Sequence, residues 1–246
     1  MASSGTFNFN PAASDLILVA FSRCGKSGAQ LSAEHLRTAS LEANLLNVEW
    51  GNRGYNLWEQ QTIQFPAAAQ LTQGTIQYAL PATTLMVTLA WTETDNGDGT
   101  TTDRVMGPLS AFEYKSIPVK GVQGPPTSYW YDRQIAPLIN LYPAPDGGGP
   151  YTAFVQAFTQ MQDVVLPGGV TLDTPYRFLD AFVAGVAKRL AIHYAPERLG
   201  QAANPARGII GTGLTGEYEK AWNDATSNDV ENRPMVLAPD LSGYYR

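Results

Sequence analysis

Gly25-Lys26-Ser27 follows an apolar run and has the ending of a phosphate-binding loop, in which backbone amides cradle an anion and a lysine reaches its phosphates. That loop needs a glycine five positions earlier, where Ala20 stands, so the triplet reads as a helix-ending turn with an exposed Lys26. Asp95-Asn96-Gly97-Asp98-Gly99, with Asp103 beyond it, has the oxygen-rich composition of a calcium loop. Such loops alternate acids and amides and close on a distant glutamate. Here Gly97 takes a ligand position and no glutamate closes the segment, which leaves a hairpin tip tolerant of positive φ. Cys24, His35 and His193 are too few and too scattered for a zinc site, and His35 reads as part of a solvated helix face. Neither histidine is matched by the Gly-x-Ser-x-Gly turn of a serine nucleophile.

Paired carboxylates are harder to set aside, because a glycosidase needs just two of them at the right separation. Glu93, Asp95, Asp98, Asp103, Glu113 and Asp132 supply the material, although acids scattered in this way ordinarily sit on solvated surface. A lytic site would be marked by one carboxylic acid in an apolar cleft, with a raised pKa, beside a second carboxylate. Tyr129-Trp130-Tyr131 has the aromatic density to stack sugars. Strand alternation, however, puts the two tyrosines on one face and the tryptophan on the other, a pattern of core or interface packing. No cofactor fingerprint and no metal-ligand cluster emerges. The residues alone describe a binding or structural protein. A cell-wall-degrading glycosidase and a carbohydrate-binding β module are the alternatives.

The elements that would position these groups fall into three regions and a tail. Residues 1–56 are expected to be helical. Ser14 caps a first helix through Leu16–Phe21, and Ser32 caps a second whose Leu36, Ala39, Ala43, Leu46 and Trp50 recur at spacings of three and four. Residues 57–172 alternate short β-rich runs with Pro and Gly clusters: Gln61–Phe65, Thr75–Leu80, Leu85–Thr92, Ser128–Asp132, Ile139–Tyr142 and Tyr151–Phe158. Ser110–Ile117 reads as one short helix among them, and Tyr142–Pro150 as a second tight reversal. Residues 173–232 return to helix. Thr174-Pro175 starts one helix, with Leu179, Val183, Val186, Leu190 and Tyr194 as its apolar stripe. Residues 199–216 lack a period and read as loop, and Glu217–Asp229 as a last helix. The expected class is α+β: a helical bundle from both ends of the chain, an inserted antiparallel β domain, and an extended arm at 233–246.

Composition narrows the function classes. The chain of 246 residues is 44% hydrophobic but only 15% charged, with 23 Gly, 17 Pro, 5 Trp, 12 Tyr and 9 Phe. The formal net charge of −6 argues against a surface built to grip phosphates. Residues 57–172 hold four basic and nine acidic side chains. One cysteine forms no internal disulfide. The first apolar run, six residues long, is too short for a secretory signal or a membrane span, so a cytosol-like setting is expected. The tail holds Met235, Val236, Leu237, Leu241, Tyr244 and Tyr245, an apolar aromatic content suited to docking on a partner.

Both ends of the chain carry longer motifs. These are Phe7-Asn-Phe-Asn-Pro-Ala-Ala-Ser-Asp-Leu-Ile-Leu-Val-Ala-Phe-Ser-Arg-Cys-Gly25, Leu41-Glu-Ala-Asn-Leu-Leu46, Trp50-Gly-Asn-Arg-Gly-Tyr-Asn-Leu-Trp58, Pro175-Tyr-Arg-Phe-Leu-Asp-Ala-Phe182 and Ala238-Pro-Asp-Leu-Ser-Gly-Tyr-Tyr-Arg246. Together they resemble the head-to-tail adaptor (head-completion, or packaged-DNA-stabilisation) proteins of short-tailed bacteriophages. The resemblance covers the helical regions and the tail and is weak across the β region. It implies a structural virion protein, assembled in the host cytoplasm, with no cofactor and no membrane partner. It further implies a homo-oligomeric ring, twelve-fold, under the portal protein at the head-tail junction. Such a ring extends the DNA channel, helps retain packaged double-stranded DNA without reading its sequence, and offers a platform to the next tail component, a nozzle or hub. Carried over by position, Met235, Val236, Leu237, Leu241, Ser242, Gly243, Tyr244, Tyr245 and Arg246 are the portal-binding residues.

Overall fold

The structure, a computed structural model, describes residues 9–54, 57–148, 150–166, 169–203 and 210–227. The chain divides into two compact units. One is formed by the residues up to Glu42 together with those from Pro175 onward, and the other by Ala43–Thr174.

In the helical unit, α1 spans Ala13–Arg23 and buries Leu16, Ile17, Ala20 and Phe21. Its cap position is Ala12 rather than Ser14, and no side chain caps it. The cap therefore lies two residues before the polar group expected to supply it. α4 spans Leu179–Tyr194 and contacts both α1 and α5, the latter at Gly213–Thr226. Four of the five residues of the expected α4 stripe are buried, and Tyr194 is half-buried. Phe178 meets Trp222 edge-on at 5.9 Å. The start of α4 is a correction. Thr174-Pro175 leads into a single 3-10 turn at Tyr176–Phe178, and the α-helix follows from Leu179.

The second correction is α5, which begins at Gly213 and not at Glu217. Glycines obscured it. Gly200 and Gly213 both adopt positive φ, and a Cβ built on Gly200 would lie 2.0 Å from the Thr212 carbonyl oxygen. This backbone-on-backbone approach is closed by Thr212 N–H donating to the Gln201 carbonyl at 2.9 Å and Thr215 N–H to that of Leu199 at 2.9 Å. Close approach of this kind requires glycine, and glycine suppresses the helical signal.

α2, Ala33–Arg53, runs through the boundary between the units. Its buried seam is the expected one, Ala39, Ala43, Leu46 and Trp50. Within the β unit, Asn44 exchanges hydrogen bonds with Val164, accepting from its N–H at 2.7 Å and donating to its carbonyl at 3.3 Å.

The β unit holds one seven-stranded sheet: β1 Gln60–Phe65, β2 Gln77–Ala79, β3 Thr84–Asp95, β4 Thr101–Pro108, β5 Ser128–Asp132, β6 Leu138–Tyr142 and β7 Tyr151–Thr159. Their order is β1-β7-β3-β4-β5-β6-β2. All neighbours are antiparallel except β4 and β5, a parallel pair that the expected wholly antiparallel domain lacked. β6 and β7 are not neighbours, so Tyr142–Pro150 is a connection between separated strands rather than a hairpin reversal. Phe65, Tyr78, Met106, Tyr129, Ile139, Leu141 and Val155 form the core. α3, Ala111–Ser116, carries the anticipated Ser110 cap: Ser110 Oγ accepts from Glu113 N–H at 3.1 Å, and the Glu113 carboxylate accepts from Ser110 N–H at 2.7 Å.

Candidate functional site

The portal-binding residues expected from the sequence, Met235–Leu237 and Leu241–Arg246, lie outside the described residues. α5 leads toward them. Its buried face is Leu214, Tyr218, Trp222 and Ala225, and its exposed side is polar, so this helix is fixed to α4 up to Ser227.

Of the six candidate acids in the β unit, Asp103 is exposed on β4 and the other five are engaged in local structure. At the β3–β4 tip Asp95 accepts from Gly97 N–H at 2.8 Å, and Asp98 accepts from Thr100 N–H at 2.9 Å and from its hydroxyl. Those Thr100 bonds hold the Asp98 carboxyl below the usual carboxylate range. Gly97 and Gly99 have positive φ, as a hairpin tip requires. Glu93 accepts from Trp91 Nε1 at 3.2 Å, and Asp132 from Gln134 Nε2 at 2.7 Å. The Ser110 amide holds the Glu113 carboxyl below its ordinary value.

One carboxyl does have the character sought, and sequence reasoning missed it. Glu59, just before β1, is 2% exposed. Burial, reinforced by the neighbouring Asp173 carboxylate, raises its pKa to about 7. The Thr159 hydroxyl donates to Glu59 Oε2 at 3.3 Å and to the Glu59 carbonyl at 3.2 Å, while Oε1 has no hydrogen-bond partner. Across the sheet from Thr159, the buried Thr84 hydroxyl is likewise unpartnered. Glu59 and Asp173 are in hydrogen-bonding contact. A glycosidase pair stands well apart, roughly 5 Å or more, to admit a sugar or a water. This pair, a buried Glu59 against an exposed Asp173, is a direct contact and lacks that gap. No signal in Trp58-Glu59-Gln60 announces it, because the burial is made by residues about a hundred positions away.

The aromatic triplet behaves as alternation requires. Tyr129 is buried in the core, the Tyr131 hydroxyl donates to the Thr84 carbonyl at 2.8 Å, and Trp130, on the other face, stacks on Tyr114 at 5.3 Å. It forms no exposed platform for sugars. A shallow groove of about 270 Å³ beside the β3–β4 hairpin is lined by Thr92, Thr94, Asn96, Thr102, Arg104 and Tyr151.

In the helical unit, His35 is half-buried, against the solvated position expected for it. Its ring lies 4.8 Å from that of Tyr194, Lys26 Nζ is 2.9 Å from Nε2, and Ser32 Oγ is 2.7 Å from Nδ1. Lys26 also sits 4.4 Å over the Tyr194 ring, so it is partly covered and held against the end of α4. His193 faces Glu42 at 3.0 Å, and Arg189 donates to the same carboxylate at 3.3 Å. These contacts bind helix ends together and present no nucleophile to a cleft. Cys24 is buried and its thiol donates to the Ala187 carbonyl at 3.2 Å; burial pushes its pKa up, away from the reactive thiolate. Among the described residues there is no group of three or more His, Cys, Asp or Glu placed to hold a metal, and no helix long and apolar enough to cross a membrane.

A family model described as SU10 adaptor protein matches residues 36–236. The matched span takes in nearly all of α2, the whole sheet, α4 and α5, including the β region where the sequence resemblance was weak. No curated protein matches the chain.

Proposed function

The chain belongs to the SU10 adaptor protein family, which makes it a structural adaptor of a bacteriophage virion, and we propose that it acts as a twelve-membered ring between the portal and the tail. In this reading residues 233–246 dock on the portal, the ring prolongs the DNA channel and helps hold packaged DNA, and the β unit offers the platform for the next tail component. The family match over residues 36–236 carries the reading. Two physical features support it. The excess of acids in 57–172 suits a conduit, since a surface that bound phosphates would slow the DNA passing it. The apolar aromatic tail suits a partner's pocket better than solvent.

The test is native mass spectrometry of the full chain mixed with the portal ring of its own phage. A discrete complex with a fixed number of copies, lost on deletion of residues 233–246, is expected. The free chain is expected to be monomeric or weakly associated. No complex at high concentration would overturn the adaptor assignment of the arm, and unfolding of the truncated chain would reassign the arm to the chain's own core.

A further inference from the structure

α2 is apolar on two sides. Opposite its buried seam, Glu34, Arg37, Leu41, Leu45, Val48 and Asn52 recur at spacings of three and four, and all six are exposed. The three apolar members are large and uncovered, at 60%, 45% and 51%. A helix of a self-sufficient monomer needs one apolar stripe, and the second has no covering element among the described residues. α1 carries a smaller face of the same kind, with Leu18 and Val19 exposed between Asp15 and Ser22.

Two different apolar faces on one chain are what a head-to-tail contact between identical copies consumes, whereas a two-fold dimer uses one self-complementary face. Charge selects the pairing. Arg37 precedes Leu41 by one helical turn, and Asp15 precedes Leu18 and Val19 by one turn. Both charged side chains are exposed, and neither has an ion-pair partner among the described residues. Laid parallel, α1 and α2 bring Asp15 against Arg37 as Leu18 and Val19 meet Leu41 and Leu45. The antiparallel arrangement sets Asp15 against apolar Val48 instead. Two α2 helices laid parallel oppose Arg37 to Arg37. We infer that the exposed face of α2, Leu41, Leu45 and Val48 with Arg37, receives the α1 face of a second copy of this chain, Leu18 and Val19 with Asp15, in parallel orientation. The inference rests on the ring reading and supplies its subunit contact.

Two single-cysteine chains, Ser22→Cys and Val48→Cys, each carrying Cys24→Ser, are mixed at high concentration and treated with a short bis-maleimide, with and without portal. Both cysteines lie on the C-terminal side of the Asp15–Arg37 pair, Val48 about one helical turn further along than Ser22 and within reach of the linker, and they leave both leucines and both charges in place. The 22–48 product is expected to exceed the 22–22 and 48–48 products several-fold, and to exceed the product of a Ser22→Cys and Thr38→Cys mixture, which reports the antiparallel arrangement. Arg37→Glu is expected to lower the 22–48 yield, and Asp15→Lys on the partner to restore it, with unchanged circular dichroism. Equal yields of all pairs, or no rescue by the reversed charges, overturn the contact. The adaptor reading fails separately. A 22–48 product without portal binding keeps the contact and removes the adaptor role, while portal binding in fixed number with random cross-links does the reverse.

Discussion

Helices α4 and α2 use apolar residues in opposite ways. α4 buries ten of its sixteen residues, among them the small Ala181, Ala184, Gly185 and Ala187 that let neighbouring backbones come close. Its exposed residues are Asp180, Ile192 and His193. α2 is longer, with twenty-one residues, and buries a narrow seam of Ala39, Ala43, Leu46, Asn47 and Trp50 while leaving three large apolar side chains in water. Burial in α4 is completed within one chain. In α2 it is half complete among the described residues.

The comparison breaks first at Phe182, which is fully buried in α4. Phe182→Ala is expected to cost about 3–5 kcal/mol, read as a lower denaturation midpoint in urea. A loss near zero would show that α4 is not the centre of the helical unit.

The β unit extends the comparison through Glu59. Its folded pKa, about 7, lies above the ordinary 4.5 of the unfolded chain. The folded state therefore holds the extra proton between those values. The stabilisation is complete below about pH 4.5 and is lost as pH rises through 7. Glu59→Gln fixes the protonated shape. It is expected to remove this component of the pH profile and to make the variant more stable than the parent at pH 8, by on the order of 2 kcal/mol. Parallel urea midpoints at pH 5 and pH 8 measure it, and identical pH profiles for the two chains would overturn the raised pKa of Glu59.

Ser110→Ala takes the reciprocal cap from α3 and should cost roughly 1 kcal/mol in the same measurement. At the small end stands Leu45→Ala on the outer face of α2. In the free monomer it is expected to shift stability by no more than about 0.5 kcal/mol, while lowering the yield of cross-linked subunits. A larger loss of stability would mean that the outer face is already covered within the chain.

What the sequence made legible followed local rules. The α2 seam obeys a period of three and four, Ser110 and Glu113 stand at capping spacing, and Asp95–Gly99 has the composition of a tip. β4 was not read as a strand, because its alternation is hidden: seven of its eight residues are exposed and Met106 alone is buried. α5 was begun too late because Gly213 and Gly216 are needed for close backbone approach. His35 and Glu59 were unreadable for a common reason. Their surroundings are assembled from Tyr194 in one case and from Thr159 and Asp173 in the other, far along the chain. The family resemblance seen at the two ends extends over residues 36–236, which the periodicities of the β region alone did not reveal.

The crossing of Gly200 and Gly213 makes the stretch between them a closed excursion. Its two ends are hydrogen-bonded to each other, so α4 and α5 meet in the same way whatever chain connects them. Closing a loop grows costlier only slowly with its length, by about 0.6 kcal/mol for each doubling. Lengthening the chain between these bonded ends is therefore expected to cost little. An epitope or fluorophore-binding peptide placed there would let the subunit be followed through virion assembly while α1, α2 and the end of the chain stay unaltered.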